Sequence, residues 1–218
     1  MYFASRAQAG RMLAAKLLPK YRYENCAVIG IGDGGVMIGA QIAAQLHCVL
    51  TMLLIEEIYL PREPVAIGGM LEDGTFLFNQ AMTSGELEEM TSEYRGTIEQ
   101  EKMLKFHKLN GLVGSGGVIN RDLLRGHNII LASDGFKDGF ALDLALQFLK
   151  PIKVDKVIVA TPLASVRAVD RMHITVDEIN CLSVLEDYRS TDHYYDTNDV
   201  PDHLKVIEVI EKIVLQWR

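Results

Sequence analysis

The sequence predicts an α/β fold, a mostly parallel sheet flanked by helices, within a single domain. Short apolar runs alternate with segments of helical periodicity along most of the chain, as expected for β-α-β units. One of these runs, residues 26–31 (CAVIGI), is apolar throughout, which is typical of a strand buried on both faces. A chain of 218 residues, 49% of them hydrophobic, is long enough to bury a core of this kind.

The first part of the chain predicts two helix–strand pairs. An amphipathic helix is expected over residues 5–18, ended by Pro19. Residues 26–31 (CAVIGI) predict a buried strand, which a glycine loop joins to a helix over residues 36–46. Residues 49–55 (VLTMLLI) predict the second buried strand.

Residues 60–125 are expected to leave the sheet and form a hood or lid. Two extended segments flank Glu72-Asp73-Gly74, a turn sequence that predicts a β-hairpin. The motif Thr83-x-x-Glu86 has the spacing of a capping box and predicts the start of a long helix over residues 85–109. The glycines of residues 111–117 predict a flexible linker.

The last part of the chain returns to alternating strands and helices. An amphipathic helix ends the chain, and its Trp217 is predicted to be a core anchor. The other predicted elements are strands over residues 127–132, 156–161 and 178–184, and helices over residues 139–150 and 163–171.

Charge and cysteine content narrow the classes of function. A formal net charge of −7 argues against nucleic acid or an anionic membrane as a partner, because both require clustered Lys and Arg. No apolar stretch approaches the roughly 18 residues of a membrane span. Three widely separated cysteines fit a reducing compartment. We therefore expect a cytoplasmic protein with no nucleic-acid partner and no membrane association.

A glycine motif lies between the first predicted strand and its helix. Gly30, Gly32 and Gly35 form G-x-G-x-x-G, and Glu56 follows about 20 residues beyond the motif, where a ribose-binding acid would lie. Taken alone, these residues predict an NAD-binding protein. A tight strand-to-helix turn that needs glycine backbone angles explains the same motif without a ligand.

A second loop joins the strand ending near residue 132 to the next helix. Its order of apolar strand, acid, glycine turn and helix resembles the diphosphoribosyl-binding motif of type I phosphoribosyltransferases. In that motif acids hold the ribose hydroxyls, while loop amides and Thr hydroxyls at a helix N-terminus hold the 5′-phosphate. The loop residues here are Ser133, Asp134, Gly135, Phe136, Lys137, Asp138, Gly139 and Phe140.

Other segments resemble one bacterial subfamily of the same family, in the same order along the chain. The segments are residues 3–14, 28–36, 66–70, 159–165 and 193–196, together with the C-terminal helix. The resemblance implies the type I phosphoribosyltransferase fold and transfer of a phosphoribosyl group from its diphosphate to a nitrogenous acceptor. It also implies a phosphosugar or nucleotide-like ligand, Mg²⁺ in an active enzyme, and a homodimer.

Acidic residues stand where the resemblance implies pyrophosphate binding. The implied pyrophosphate loop is Gly32, Asp33, Gly34 and Gly35, with Asp33 in place of an Arg. Glu56 and Glu57 are expected at the end of the second strand, in place of an Arg-Lys pair.

The phosphoribosyl loop departs from the family pattern in the same direction. Ser133 replaces one of two acids, so that Asp134 is the carboxylate implied for the ribose hydroxyls. Asp138 places a carboxylate where a doubly charged phosphate would dock, although Asp is also a good helix N-cap. Repulsion from these acids predicts weak phosphoribosyl diphosphate binding and doubtful activity.

Three hypotheses follow. The first is a divergent phosphoribosyltransferase, with Mg²⁺ held through Asp134, Asp33 and Glu56. The second is a non-catalytic relative that binds a nucleotide or nucleoside or has a regulatory role. The third is an NAD-binding protein that uses the glycine motif.

Overall fold

A computed structural model describes residues 1–116, 119 and 121–215 of the protein. Contacts between residues divide the chain into two compact units, one formed by Met1–Leu53 with Ile119–Arg218 and the other by Leu54–Val118. The predicted core anchor Trp217 and the last linker residue, Gly117, lie outside the described residues.

Helices and strands alternate along the described chain. The helices are α1 (Arg6–Tyr21), α2 (Gly32–Leu46), α3 (Ser84–Glu93), α4 (Arg95–Gly116), α5 (Phe140–Leu149), α6 (Val166–Thr175) and α7 (His203–Leu215). The strands are β1 (Cys26–Ile31), β2 (Val49–Leu53), β3 (Ile55–Tyr59), β4 (Ala66–Leu71), β5 (Phe76–Phe78), β6 (Asn128–Ala132), β7 (Lys156–Ser165) and β8 (Glu178–Leu185).

The first unit is built on a five-stranded sheet in the order β2-β1-β6-β7-β8. All four strand pairings are parallel, and every residue of β1 and β6 is buried. This confirms the predicted parallel sheet flanked by helices, and it explains why these segments are apolar on both faces. Helices α1, α2 and α7 share one apolar core with the central strands, through Leu13, Ile38 and Val206 against Val28 and Ile130.

The second unit contains a three-stranded antiparallel sheet in the order β3-β4-β5. The predicted hairpin is present between β4 and β5, and Gly74 has the positive φ of 82° that its turn requires. The predicted capping box is also present, because Thr83 and Glu86 bond reciprocally at the start of α3. The predicted single long helix is instead two helices, interrupted at Tyr94, whose backbone is not helical.

The prediction of the second strand from the sequence was wrong. Residues 49–55 divide at Leu54, whose backbone N–H donates to the Glu72 carboxylate at 3.2 Å instead of continuing the parallel sheet. The two parts, β2 and β3, consequently belong to different sheets. Glu56 and Glu57 therefore do not end the second parallel strand; they lie inside β3, opposite Met70 and Gly69.

Four further boundaries differ from the prediction. Helix α2 begins at Gly32, four residues before its predicted start, so that the predicted glycine loop is the first turn of the helix. Helix α1 continues past Pro19 to Tyr21, a buried residue that packs in the core and holds the last turn. Strand β7 continues to Ser165, so that α6 begins three residues later than predicted. Residues 111–116 are helical, since α4 extends to Gly116, and the linker prediction fails there. Among the described residues, no helix has the length and apolar character needed to cross a membrane.

Candidate functional site

The order of the parallel strands locates a candidate site at one edge of the sheet. The chain moves outward in one direction from β1 to β2, and in the other direction from β6 through β7 to β8. In open α/β sheets, ligands bind beyond the carboxyl ends of the strands at such a reversal point. The loops that follow β1 and β6 are the two loops that the sequence singled out.

The glycine motif after β1 forms the first turn of α2, which packs against the end of β6. Helix α2 begins at Gly32, directly after β1, and Gly32 has a φ of 65°. A Cβ at Gly34 would overlap the Asp134 carboxylate, and one at Gly35 would lie 2.6 Å from the Ala132 carbonyl oxygen. Close approach to the loop after β6 therefore accounts for Gly34 and Gly35, and the positive φ accounts for Gly32. Because Glu56 lies in another sheet, the acid of the dinucleotide motif is not at its expected position.

The loop after β6 first continues alongside β7. Phe136 is buried, its N–H donates to the Leu163 carbonyl at 3.0 Å, and its carbonyl accepts from the Ser165 N–H at 2.9 Å. Ser133 closes the preceding turn, since its hydroxyl donates to the Gly135 carbonyl and accepts from the Gly135 N–H. Two loop amides that could face a phosphate are thus bonded within the chain.

The end of this loop carries its own anion at the start of α5. The N-cap residue Gly139 has a φ of 88° and contributes no side-chain cap. The Asp138 carboxylate, one residue earlier, accepts a hydrogen bond of 3.0 Å from the Phe140 N–H. Asp138 therefore occupies one of the helix amides that the family motif would offer to a 5′-phosphate. Lys137 is exposed.

Asp134 forms a buried ion pair with Arg6 of α1. The Arg6 side chain is only 3% exposed, and its Nε donates to Asp134 Oδ2 at 2.7 Å. Burial raises the pKa of the Asp134 carboxyl, and the adjacent guanidinium opposes part of that rise. Burial alone would lower the pKa of Arg6, but Asp134 and Asp192 raise it above its usual value.

Sequence reasoning missed Arg6 as a site residue. The sequence did contain a sign of its burial, because Arg6 lies on the apolar face of the first helix. It shares that face with Ala9, Leu13 and Leu17, all of them buried. A buried arginine is normally paired, so this position could have been predicted to meet an acid. The partner could not have been named, since Asp134 lies 128 residues away.

The other contacts of Arg6 come from residues 187–199, here called the strap. The Arg6 guanidinium bonds to Asp192, donates to Asn198 Oδ1 at 2.9 Å, and lies 4.4 Å from the centre of the Tyr195 ring. The Tyr195 hydroxyl in turn donates to the Asp134 carbonyl at 2.7 Å. Arg6 therefore joins α1, the phosphoribosyl loop and the strap.

The other predicted acids are also paired with cations or donors. Asp33 Oδ1 lies 2.8 Å from His203 Nδ1 of α7. In the second unit, Glu56 pairs with Lys105 at 3.0 Å and with Lys108. Glu57, the neighbour of Glu56, accepts a hydrogen bond from the Tyr59 hydroxyl.

These contacts test the predicted Mg²⁺ site. Among the described residues, no group of three or more His, Cys, Asp or Glu is arranged to hold a metal ion. Asp134 and Asp33 each face a cationic or hydrogen-bonding partner, and Glu56 faces two lysines of its own unit. Within the first unit, the partners of Asp134 and Asp33 therefore compete with a metal ion for both carboxylates.

The strand order defines an α/β protein with a parallel five-stranded sheet, and the ends of β1 and β6 form its candidate ligand site. The chain belongs to the family of the phosphoribosyl transferase domain, whose family profile matches residues 2–196. The resemblance predicted from the sequence is therefore confirmed at the level of the family.

Several known proteins are similar to this chain. TT1426 from Thermus thermophilus has a crystal structure with a TM-score of 0.70 and 26% identity, covering 100% of this chain and 99% of that one. Two Mycobacterium tuberculosis proteins, from strains CDC 1551 / Oshkosh and ATCC 25618 / H37Rv, are provisionally named phosphoribosyl transferases. Each is 26% identical over 182 residues, or 83% of this chain. The chain spans 40% of the length of these curated relatives.

Proposed function

We propose that this protein is a non-catalytic member of the phosphoribosyl transferase family that binds a ribosyl ligand without a 5′-phosphate. The observation that carries the proposal is the hydrogen bond from the Phe140 N–H to the Asp138 carboxylate, at 3.0 Å. A carboxylate at this helix start takes the place that a ligand phosphate would need. The expected substrate of an active relative, phosphoribosyl diphosphate, would therefore meet an anion.

The electrostatic cost supports this reading of the loop. Two unit charges 4 Å apart repel by about 4 kcal/mol at an effective dielectric constant of 20. A 5′-phosphate carries close to two charges, and Ser133 and Phe136 already use two of the nearby backbone groups. The cation among residues 133–140 is Lys137, which is exposed, so water screens the attraction that it could offer to a phosphate.

Asp134 supports binding of the sugar itself. A carboxylate accepts hydrogen bonds from ribose hydroxyls, and the Asp134 side chain keeps 19% exposure despite its ion pair with Arg6. An uncharged nucleoside would use this carboxylate without meeting the repulsion at Asp138. A nucleoside such as adenosine is therefore the expected ligand class, in preference to its monophosphate.

Calorimetry provides the test. Phosphoribosyl diphosphate, titrated with and without Mg²⁺, should show no binding up to millimolar concentration, whereas adenosine should bind more tightly than adenosine monophosphate. Asp138→Thr should create or strengthen phosphate binding, and adding Asp33→Arg should strengthen it further. Asp155→Thr, which removes the same charge from an exposed residue outside the loop, is the control. Micromolar binding of the diphosphate to the wild type would contradict the proposal.

The second candidate function is phosphoribosyl transfer to a nitrogenous acceptor. Family membership favours it, as does the close approach of Gly34 to Asp134, which keeps the two ligand loops together. Mg²⁺ belongs to this candidate. Release of pyrophosphate that requires both a purine or pyrimidine base and Mg²⁺ would establish transfer and replace the first proposal.

Two expectations from the family resemblance remain proposals. We propose that residues 60–125 act as a hood that selects the acceptor or ligand base, and that the chain forms a homodimer. Light scattering on the full chain distinguishes a 24.3 kDa monomer from a dimer of twice that mass. Exchange of the hood segment for that of TT1426 should alter ligand preference if the hood selects the base.

A further inference from the structure

The strap, residues 187–199, contacts the phosphoribosyl loop at Gly135, the residue after Asp134. A Cβ at Gly135 would overlap the Tyr188 hydroxyl, and it would lie 3.2 Å from Thr191 Cγ2. Tyr188 and Thr191 are themselves joined by a hydrogen bond of 2.8 Å. The glycine at position 135 is therefore required by the strap, and two strap hydroxyls occupy the space above it.

The backbone of the strap is fixed to the N-terminal segment of the chain. Phe3 pairs with Tyr195 in a parallel bridge, and its carbonyl accepts from the Asp196 N–H at 2.9 Å. The Thr197 N–H donates to the Ala4 carbonyl at 3.1 Å. Asp199 accepts from the backbone N–H of Arg6 at 2.9 Å and so caps α1. The end of the strap is thus firmly held.

The contact between Asp192 and Arg6 differs from these attachments. The Arg6 side chain is 3% exposed, but the Asp192 side chain is 62% exposed. Water competes with Arg6 for a carboxylate this exposed, so the Asp192–Arg6 bond opens more readily than the buried bond between Asp134 and Arg6. Asp192 lies between Tyr188 and Tyr195, where the strap crosses from the loop to its backbone attachments.

We infer that the strap is a built-in cover of the ligand loop, and that the Asp192–Arg6 contact is its latch. In the closed state, Tyr188 and Thr191 lie over Gly135, beside the Asp134 carboxylate proposed to hold ribose. Opening of the latch lets Thr191 and the Tyr188 hydroxyl move away from Gly135, while residues 194–199 stay attached and the Tyr194 hydroxyl still donates to the Asp187 carbonyl at 2.9 Å. The inference concerns access to the site and rests on the proposed function only for the identity of the ligand.

Asp192→Asn tests the latch, because it removes the charge and keeps the shape. The matched control is Asp187→Asn, the same change within the strap at an 86% exposed residue that contacts Arg189 instead of Arg6. Hydrogen exchange by NMR is measured at the Gly135 amide under the cover and at strap amides of residues 188–193. Adenosine affinity is measured on the same samples.

The expected result is faster exchange in Asp192→Asn at both the strap amides and Gly135, by about three- to tenfold for the loss of one charge-assisted hydrogen bond. Adenosine should bind this variant more tightly by a similar factor, and Asp187→Asn should behave as the wild type. Faster exchange in the strap without a change at Gly135 would overturn the cover, and so would unchanged exchange throughout.

The ligand arm separates this inference from the proposed function. If adenosine binds the wild type and Asp192→Asn equally, the strap does not cover the site and the inference fails. If adenosine binds neither protein while the strap and Gly135 amides accelerate together, the cover stands and the proposed nucleoside ligand is wrong.

Discussion

Replacement of Arg6 by Met should strongly destabilise the protein. The substitution keeps an unbranched side chain of similar length but removes the cation that Asp134 contacts at 2.7 Å. Asp134 is then left as a largely buried carboxylate, at 19% exposure, with no counterion. Removal of one partner from a buried ion pair typically costs about 3–5 kcal/mol, and we expect a loss of unfolding free energy in that range.

Urea unfolding at pH 7 measures the loss, and Arg11→Met is the matched control. Arg11 lies on the same helix but is exposed, so its replacement should change the unfolding free energy by less than about 0.5 kcal/mol. Asp134→Asn in the Arg6→Met background should recover about 1–3 kcal/mol, because neutral Asn has no uncompensated charge. A loss below about 1 kcal/mol for Arg6→Met, or no coupling between the two sites, would refute a central role for this pair.

The pH dependence of the stability loss in Arg6→Met provides a second test, because its direction can be predicted. Burial already raises the pKa of Asp134, and removal of Arg6 takes away the group that opposes this rise. A carboxyl whose pKa is higher in the folded state than in the unfolded state contributes most stability at low pH and loses it as pH rises through the folded pKa. The deficit of Arg6→Met should therefore shrink as pH is lowered from 7 toward 4.

Two further predictions concern packing and buried thiols. Gly34→Ala should lower the melting temperature, because its Cβ would overlap the Asp134 carboxylate. The control Gly96→Ala, in open space on α4, should be neutral or stabilising. Equal melting temperatures for the two variants would contradict the close packing at Gly34. Burial raises the pKa of Cys48 from 9.0 to about 12, so stability should fall as pH rises above 9, and Cys48→Ala should reduce that slope by up to about 1.4 kcal/mol per pH unit. An unchanged slope in chemical unfolding at pH 9–11 would show that the thiol does not titrate as stated.

The parallel sheet could be predicted because each of its strands can be recognised from a short segment of sequence. A strand buried on both faces is mostly apolar, as are β1, β6 after Asn128, and most of β7. The same local rule failed at Leu54, because residues 49–55 are apolar apart from Thr51 although the chain changes sheet there. The carboxylate that captures the Leu54 amide belongs to Glu72, 18 residues away, and no window of local sequence contains both.

The candidate site shows the same limit more strongly. Its two loops could be predicted, because each follows a recognisable strand and contains the glycines that a tight turn needs. The contacts that determine the state of the loops could not, since Arg6 reaches Asp134 over 128 residues and Asp192 over 186 residues. Periodicity and turn chemistry act over a few residues, whereas the strap is placed by tertiary packing.

The role of an acidic residue in a candidate ligand loop depends on which groups it contacts. Three acids that invited a Mg²⁺ hypothesis each contact a basic side chain of the same chain: Asp134 meets Arg6, Asp33 meets His203, and Glu56 meets Lys105. An incoming metal or cationic ligand would have to replace a partner that is already tethered nearby, and tethering raises effective concentration well above that of a free competitor. This competition indicates that the three acids serve to pair with basic side chains of the same chain. The calorimetric titration with Mg²⁺ therefore discriminates between the two candidate functions, because only phosphoribosyl transfer requires the metal.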